Sequence, residues 1–274
     1  MSEYQCVVCD LDGTLLNDQK KISNYTKDVI KQLKQAGLLF GIATGRSVDI
    51  VLEQSDAWQI KEAIDFIIGM NGCQIYHNNN KMYERITMLC NRQIKAILAF
   101  FFKTSANYYL YDSEQRKVFC RRIDSYSNYI LHVNQSLNIE ICNQPMYSEI
   151  EKILILDEPE KINMYLKNIQ QHTEWQCKGY KTLPFCIEIV NDSASKANGL
   201  AHYCNKYGIK LSSVIAFGDQ MNDIELLETC GKGIVMKNAC DSLKSSIKEI
   251  TDFNHNENGI ALYLNQLFFD KKQI

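Results

Sequence analysis

The chain has 274 residues, with 30 Lys and Arg against 32 Asp and Glu, so its formal net charge is −2. Hydrophobic residues make up 46% and charged residues 23%, which is typical of a globular protein of one large or two smaller domains. The near-neutral charge argues against a general nucleic-acid binder. No apolar run reaches the roughly 18–20 residues of a membrane span. The N-terminus also lacks the basic start and apolar stretch of a signal peptide. We therefore predict a globular protein that binds neither nucleic acid nor membrane.

The 11 cysteines are predicted to be free thiols, because their number is odd and their spacing irregular. Free thiols are typical of a reducing compartment, so we predict a cytoplasmic protein. Cys6 and Cys9 match the C-x-x-C pattern of redox and zinc sites. They lie in a predicted buried strand, however, where residues three positions apart point to opposite faces. We interpret them as small core residues rather than as a site.

The first part of the chain alternates strands with helices. The predicted elements are a strand at 5–9, a helix between the N-cap Ser23 and Gly37, a strand at 38–43, a helix at 48–57, a strand at 66–69 and a hairpin at 74–85. The first helix is predicted from an apolar stripe formed by Tyr25, Val29, Ile30, Leu33 and Ala36. This alternation indicates a doubly wound parallel sheet.

The middle of the chain has a different pattern, in which strand pairs mix with helices. The predicted elements are helices at 91–103, 125–135 and 162–171, and strands at 108–111, 117–123, 152–156, 175–181 and 185–190. Such a pattern is typical of an antiparallel α+β unit. We interpret residues 87–190 as a second domain inserted into the first, which then consists of residues 1–86 and 191–274.

The alternating pattern returns after the insertion. A helix at 196–207, strands at 213–217 and 233–236 and a last helix at 259–269 complete the prediction. The predicted fold class is therefore α/β, with a doubly wound, Rossmann-like parallel-sheet domain and an inserted α+β domain.

Polar clusters follow the predicted strands of the first domain and open one of its helices. They are Asp10 with Asp12, Thr44 with Gly45, Lys196 at a helix start, and Asp219 with Asn222 and Asp223. In open α/β sheets, ligands bind beyond the carboxyl ends of the strands. Carboxylate oxygens without histidine favour Mg²⁺. A hydroxyl, a helix-start amide and an ammonium favour a phosphate group.

The spacing of Asp10 and Asp12 suggests how such a site could react. One carboxylate can attack phosphorus and form an aspartyl phosphate. The other can protonate the leaving alkoxide and then deprotonate the hydrolytic water. Lys196 can stabilise the negative charge on the transferring group.

Four short motifs carry a resemblance to a known family. They are Asp10-Leu11-Asp12-Gly13-Thr14-Leu15, Thr44-Gly45-Arg46, Lys196, and Gly218-Asp219-Gln220-Met221-Asn222-Asp223. In this order and spacing they resemble the haloacid dehalogenase-like (HAD) superfamily. The position of the inserted domain, together with Asn71-Gly72 after the third strand, resembles the Cof-type phosphatases with a class IIB cap.

The resemblance implies a role for each matching residue. It implies that Asp10 is the nucleophile and that Asp12 is the general acid and base. The implied metal ligands are Asp10, the Asp12 carbonyl and Asp219, with Asp223 supporting a metal-bound water. The implied phosphate-binding residues are Leu11, Thr44, Gly45, Lys196 and Asn222.

Three residues near the motifs stay open at this point. Arg46 could approach phosphate or form a structural ion pair, and Asn71 could touch substrate or serve only its turn. Lys237 stands where the family more often has glycine, which could add a charge near the site.

The expected function is a Mg²⁺-dependent phosphatase acting on small phosphorylated metabolites, such as sugar phosphates or phosphorylated cofactors. A phosphotransferase or phosphomutase is the alternative among enzymes, since both need an acid and base. A non-catalytic binding protein that kept the fold is the alternative from another class. We expect a small phosphorylated molecule as the partner, and a monomer or weak homodimer. The inserted domain is expected to act as a lid that selects the substrate.

Overall fold

The structure is a computed structural model that describes residues 3–112, 117–133, 138–142 and 149–270. Most of the predicted connection at 112–116 and the end of the predicted helix at 125–135 lie outside the described residues. The chain divides into two compact units. The core unit contains the chain up to Ile86 and from Ser195 onward, and the inserted unit is Thr87–Ala194. The chain returns to the core unit at Ser195. The boundary predicted from the sequence is four residues earlier, at residue 191.

The described residues contain strands and helices in the following order. The strands are β1 (Cys6–Cys9), β2 (Leu39–Ala43), β3 (Phe66–Gly69), β4 (Gln74–His77), β5 (Met82–Arg85), β6 (Leu89–Cys90), β7 (Asn107–Asp112), β8 (Lys117–Cys120), β9 (Asn138–Ile141), β10 (Glu149–Ile150), β11 (Lys152–Leu156), β12 (Cys177–Leu183), β13 (Cys186–Asn191), β14 (Val214–Gly218) and β15 (Lys232–Val235). The α-helices are α1 (Asn24–Gln35), α2 (Val48–Ala57), α3 (Asn91–Phe101), α4 (Ser125–Val133), α5 (Pro159–Gln171), α6 (Lys196–Tyr207), α7 (Ile224–Thr229), α8 (Asp241–Ser246) and α9 (Gly259–Phe268). Within this part of the chain, no helix combines the length and the apolar character needed to cross a membrane.

The core unit is built on a seven-stranded sheet with the order β15-β14-β1-β2-β3-β4-β5. The five strands from β15 to β3 pair in parallel. The β4–β5 hairpin adds an antiparallel edge, so the predicted doubly wound sheet and hairpin are confirmed. Strand β14, which follows the inserted unit in the chain, pairs in parallel with β1.

Strand β1 shows why this sheet is apolar on both faces. Val7 and Cys9 belong to one hydrophobic cluster, and Cys6 and Val8 belong to a second. A parallel strand covered on both sides needs such a continuous apolar run. Cys6 and Cys9 thus lie on opposite faces, and all eleven cysteines are free, as predicted.

Helix α1 begins as predicted, because the Ser23 Oγ accepts the N–H of Thr26 at 3.0 Å. Its predicted stripe was wrong at both ends. Tyr25 and Ala36 are exposed, whereas Thr26 is buried with Val29, Ile30 and Leu33. The buried set follows the i, i+3, i+4, i+7 spacing of one helix face, and Tyr25 lies one position off that face.

The inserted unit contains a six-stranded sheet with the order β12-β13-β11-β7-β8-β9. Its strand pairs are antiparallel except for the parallel pair β8–β9, which confirms an α+β architecture. Strand β9 and the short pair β6–β10 were not predicted, because runs of two to four residues give little periodicity. Trp175 lies in a short 3₁₀ turn before β12 rather than in the strand, because Gln176 adopts a left-handed conformation with φ 50°.

Candidate active site

The candidate site lies at the carboxyl edge of the parallel sheet in the core unit. In register, Cys9 of β1 pairs with Ile42 of β2 and with Phe217 of β14. The residues that follow these three strands therefore emerge at the same edge. The Asp10 N–H donates to the Phe217 carbonyl at 3.0 Å, which fixes the first carboxylate beside the loop after β14.

Lys196 is the centre of a buried charge cluster. Its Nζ lies 2.6 Å from Asp10 Oδ1 and 2.6 Å from Asp223 Oδ1. The Lys196 side chain is only 1% exposed, although Lys196 is the first residue of α6. The Ser195 Oγ caps this helix by accepting the N–H of Asn198 at 3.1 Å. The cap and the two carboxylates together hold the ammonium in one position.

The electrostatic balance of the cluster appears in its pKa values. Burial raises the pKa of Asp10 to about 7, against an opposing effect of the Lys196 charge. The charges of Asp223 and Asp219 contribute to this raised pKa. Burial alone would lower the pKa of Lys196, but Asp10 and Asp223 outweigh it and raise that pKa above its ordinary value. Three carboxylates face one ammonium, so the site has an excess of negative charge.

Asp219 is held on both of its oxygens by neutral donors. Thr14 Oγ1 donates to Oδ1 and Gln220 Nε2 donates to Oδ2, each at 3.0 Å. Burial is the main cause of a raised pKa at Asp219. Gly13, with φ +81°, passes so close that a Cβ there would lie 2.5 Å from Asp219 Oδ2. Glycine is therefore required at this turn by both conformation and space.

Asp223 braces the loop that carries Asp219. Its Oδ2 accepts the backbone N–H groups of Asp219 and Gln220, each at 3.0 Å, while Oδ1 accepts Lys196. Both oxygens are thus used within the protein. This arrangement suits the supporting role that the resemblance implied better than a direct bond to a ligand.

The cluster fits a divalent cation. Carboxylate oxygens of Asp10, Asp219 and Asp223 lie within 4.8 Å of one another, and all three residues are buried. An oxygen-only donor set with excess negative charge suits a hard cation such as Mg²⁺. Asp10 and Asp219 are the carboxylates best placed to hold it, because among the described residues Asp219 is bound only by neutral side chains and Asp10 by Lys196 on one oxygen. Asp223, in contrast, is bound by Lys196 on one oxygen and by two backbone N–H groups on the other.

Asp12 lies outside this cluster and forms an ion pair. Arg46 donates to both of its oxygens, from Nε to Oδ2 at 2.8 Å and from Nη2 to Oδ1 at 2.6 Å. Lys20 Nζ donates to Oδ1 at 2.7 Å, and Gln54 accepts Nη1 of Arg46. Burial acts to raise the pKa of Asp12, but Arg46 and Lys20 outweigh it and lower that pKa. Of the two possibilities left open for Arg46, the structure shows the ion pair.

The other predicted phosphate-binding residues lie in the loops after β1, β2 and β14. Leu11 is fully buried, and its carbonyl accepts the N–H groups of the turn that follows. Thr44 is buried, and its Oγ1 accepts the N–H of Arg46 at 3.2 Å. Asn222 is exposed, and its Nδ2 donates to Asn71 Oδ1 at 3.3 Å.

Sequence reasoning missed Asn238, which follows Lys237 in the chain. Asn238 Nδ2 donates to the Gly13 carbonyl at 2.7 Å, and its Oδ1 accepts the N–H of His255 at 3.1 Å. Asn238 thus anchors the turn after Asp12. The local sequence pattern could not predict this contact, because Asn238 and Gly13 are 225 positions apart. Lys237 donates to the Asp252 carbonyl at 2.9 Å, so its charge is held at the segment around residue 252.

Comparison with known proteins identifies the family. Residues 7–264 match the family model of the haloacid dehalogenase-like hydrolases. A protein of Buchnera aphidicola subsp. Acyrthosiphon pisum, provisionally named a phosphatase, is 30% identical over 282 residues, covering 98% of each chain. The 5-amino-6-(5-phospho-D-ribitylamino)uracil phosphatase of Bacillus subtilis is 29% identical over 279 residues, covering 96% of this chain and 97% of that protein.

Solved structures give the same fold. A haloacid dehalogenase-like hydrolase from Bacteroides thetaiotaomicron superposes with a TM-score of 0.81 at 23% identity, over 97% of this chain and 100% of that one. A subclass IIB sugar phosphatase superposes with a TM-score of 0.77 at 21% identity, over 96% and 98%. The protein belongs to the haloacid dehalogenase-like hydrolases, and both the predicted family and the predicted fold class are confirmed.

Proposed function

We propose that the protein is a Mg²⁺-dependent phosphatase that hydrolyses small phosphorylated metabolites through an aspartyl phosphate. The observation that carries the proposal is the buried Lys196 bridge between Asp10 and Asp223. A lysine this deeply buried is costly unless it offsets charge. Here it offsets the charge of Asp10, a carboxylate at the end of the first strand, beside the loops that carry the proposed phosphate-binding groups.

Asp10 is the proposed nucleophile. Its Oδ1 is bound to Lys196, and Oδ2 accepts no hydrogen bond from the part of the chain that the structure describes. Oδ2 can therefore attack phosphorus. A bond forms between Oδ2 and phosphorus as the bond between phosphorus and the ester oxygen breaks. Water then attacks the aspartyl phosphate, which releases inorganic phosphate and restores the carboxylate.

Asp12 is the proposed acid and base. In the first step it gives a proton to the leaving alkoxide, and in the second it takes one from the attacking water. The ion pair with Arg46 favours its charged form, which suits the base step. For the acid step, Asp12 must separate from Arg46 and take up a proton from solvent before it meets the leaving-group oxygen.

Asp10, Asp219 and the Asp12 carbonyl are the proposed Mg²⁺ ligands. When bound, the ion would supply positive charge that reduces the repulsion between the nucleophilic carboxylate and the phosphate dianion. Thr44, Gly45, Lys196, Asn222 and the Leu11 amide are the proposed phosphate-binding groups. Asp223 holds the loop of Asp219 in place.

Two relatives bear on the substrate class. The Bacillus subtilis relative acts on a phosphorylated ribityl compound, and the subclass IIB neighbour is a sugar phosphatase. Both names support small polyhydroxylated phosphate monoesters as substrates of this chain. The cytoplasmic location and the monomeric or weakly dimeric state stay predictions.

The test is phosphate release from an aryl phosphate and from a panel of phosphorylated metabolites. Activity should disappear in excess chelator and return with Mg²⁺, whereas Ca²⁺, which prefers more ligands and looser geometry, should inhibit. Asp10→Asn should lower the rate by at least about three orders of magnitude, or ~4 kcal/mol of barrier. Asp28→Asn, which changes a surface carboxylate of α1, is the matched control.

Three outcomes would contradict the proposal. Full activity in chelator would exclude the metal, and Asp10→Asn within tenfold of the parent would exclude the nucleophile. Transfer of the phosphoryl group to an added alcohol in preference to water would favour the phosphotransferase or phosphomutase alternative.

A further inference from the structure

We propose that Asn71 is a positioning residue for the phosphate-binding groups, and that the turn it occupies serves to place its carboxamide between Gly45 and Asn222. This inference rests on the proposed function. The sequence left Asn71 undecided between a substrate contact and a simple turn. Three independent observations bear on the choice.

The first observation is the backbone of the turn. Met70, Asn71 and Gly72 all have positive φ, with values of 50°, 52° and 99°. Positive φ is uncommon for residues other than glycine and is unfavourable for a long side chain such as Met. A run of such residues persists only where the surroundings determine it, and such runs cluster at functional sites.

The second observation is what holds the turn. The Met70 N–H donates to the Arg46 carbonyl at 2.8 Å, and the Asn71 N–H donates to the Thr44 carbonyl at 3.0 Å. On the other side, a Cβ at Gly72 would lie 2.0 Å from the carbonyl oxygen of Ser195. The turn is therefore packed between the Thr44–Gly45 loop and the residue that caps the helix of Lys196.

The third observation is the direction of the Asn71 side chain. Asn222 Nδ2 donates to Asn71 Oδ1 at 3.3 Å. A Cβ at Gly45 would lie 3.4 Å from both Nδ2 and Oδ1 of Asn71, so the carboxamide covers this glycine. A turn alone needs only a residue that tolerates positive φ, and it does not need these two side-chain contacts. The carboxamide links the proposed phosphate groups of β2 and β14, which are otherwise carried by separate loops.

Two variants separate the side chain from the turn. Asn71→Gly keeps the left-handed backbone and removes the carboxamide. Asn71→Asp keeps both the conformation and the oxygen that accepts Asn222, but it brings a negative charge beside the proposed phosphate site. Asn258→Gly is the matched control, because Asn258 has φ 63° and one side-chain hydrogen bond with Thr26.

The probe is inorganic phosphate, measured as a competitive inhibitor and by calorimetry with Mg²⁺ present. Asn71→Gly should weaken phosphate binding by about fivefold or more, the effect of one hydrogen bond, and should raise KM more than it lowers kcat. Asn71→Asp should weaken binding at least as much. Asn258→Gly should bind phosphate like the parent. Phosphate affinities are corrected for the fraction of folded protein, measured by circular dichroism. A variant that is partly unfolded is then not mistaken for one that binds phosphate weakly.

A double variant tests whether Asn71 acts through Asn222. In an Asn222→Ala background, Asn71→Gly should cost less phosphate affinity than it does in the parent. Parent-like phosphate binding in both Asn71→Gly and Asn71→Asp, in an enzyme that releases phosphate, would overturn this inference alone. A parent protein that neither binds phosphate nor hydrolyses any ester would overturn the proposed function, and this inference with it.

Discussion

At the scale of single residues, the site combines one buried cation with three buried anions. Lys196 bonds to Asp10 and Asp223, while Asp219 relies on Thr14 and Gln220. The arrangement is unfavourable without a further cation, since buried carboxylates lose hydration that one ammonium cannot replace. Stability and function thus oppose each other at this cluster.

This opposition predicts a stabilising substitution. The pKa of Asp10 is about 7 in the folded protein against an ordinary value of 3.8. The folded state therefore holds this proton more tightly than the unfolded chain does. The stability from Asp10 is present at low pH and is lost as pH rises from about 4 through 7. Metal-free Asp10→Asn should melt at least about 2 °C above the parent at pH 8, with the difference shrinking toward pH 5.

Thermal melts in chelator across pH 5 to 8 measure this effect. Added Mg²⁺ should raise the melting temperature of the parent more than that of Asp10→Asn. Asp28→Asn serves again as the surface control. Equal melting of parent and Asp10→Asn at pH 8 would mean that the carboxylate carries no electrostatic cost.

The proposed acid role of Asp12 predicts that the effect of Asp12→Ala on kcat/KM depends on the leaving group. Asp12→Ala removes the proposed acid, so alkyl phosphates, whose alkoxides need a proton, should react far more slowly. Aryl phosphates should lose less, because aryl oxides leave with little protonation. The measurement is kcat/KM for one ester of each type. Equal losses on both esters would leave the acid role without support.

At the scale of elements, close backbone packing fixes the groups that the strands and helices carry. Gly72 lies against Ser195, directly before α6, so the turn after β3 determines where Lys196 begins its helix. Gly37 has a similar conformation, with φ +84°, but no atom lies within 4 Å of a Cβ placed there. The two glycines allow conformation and space to be tested separately.

We therefore expect unequal effects from the same substitution. Gly37→Ala should destabilise the protein by about 1 kcal/mol, the cost of a left-handed alanine. Gly72→Ala should cost more than about 3 kcal/mol, because the backbone must also move. It should also lower phosphatase activity by displacing Lys196. Urea unfolding measures the loss of stability, and phosphate release measures the loss of activity. Similar losses of stability in both variants would show that the backbone beside Ser195 can move to make room for a Cβ at residue 72.

At the scale of the whole molecule, each unit has its own hydrophobic core. Two buried clusters lie within the core unit and a third lies within Thr87–Ala194. The polar groups proposed for catalysis all belong to the core unit. The groups proposed for catalysis and the hydrophobic packing of the core unit therefore both lie outside the inserted unit.

This separation predicts what the inserted unit contributes. A variant in which residues 87–194 are replaced by a short Gly/Ser bridge should fold, as judged by circular dichroism. It should keep activity on a small aryl phosphate better than on the best metabolite, by at least about tenfold in kcat/KM, because lids add substrate contacts. Proportionate losses on both substrates would mean that this unit does not select the substrate.

Most strands and helices of the protein, and the polar residues at their ends, could be predicted from the sequence. Apolar runs such as β1 predicted buried parallel strands, because a strand covered on both faces needs them. Asp10, Asp12, Thr44 and Lys196 were predicted as site residues because they directly follow strands or open a helix. Periodicity failed to predict β9, which has only four residues. It also misplaced Tyr25, because a shift of one position along a helix is enough to turn a side chain from the buried face to solvent.

The side chains that contact one another across the site could not be predicted from the sequence. The pairing of Arg46 with Asp12, of Asn71 with Asn222 and of Asn238 with Gly13 joins residues 34, 151 and 225 positions apart. Local propensity and periodicity act over a few residues, so they carry no information on such partners. The raised pKa of Asp10 has the same origin, because burial and the charges of distant loops combine only when β1, β14 and α6 converge at one edge of the sheet.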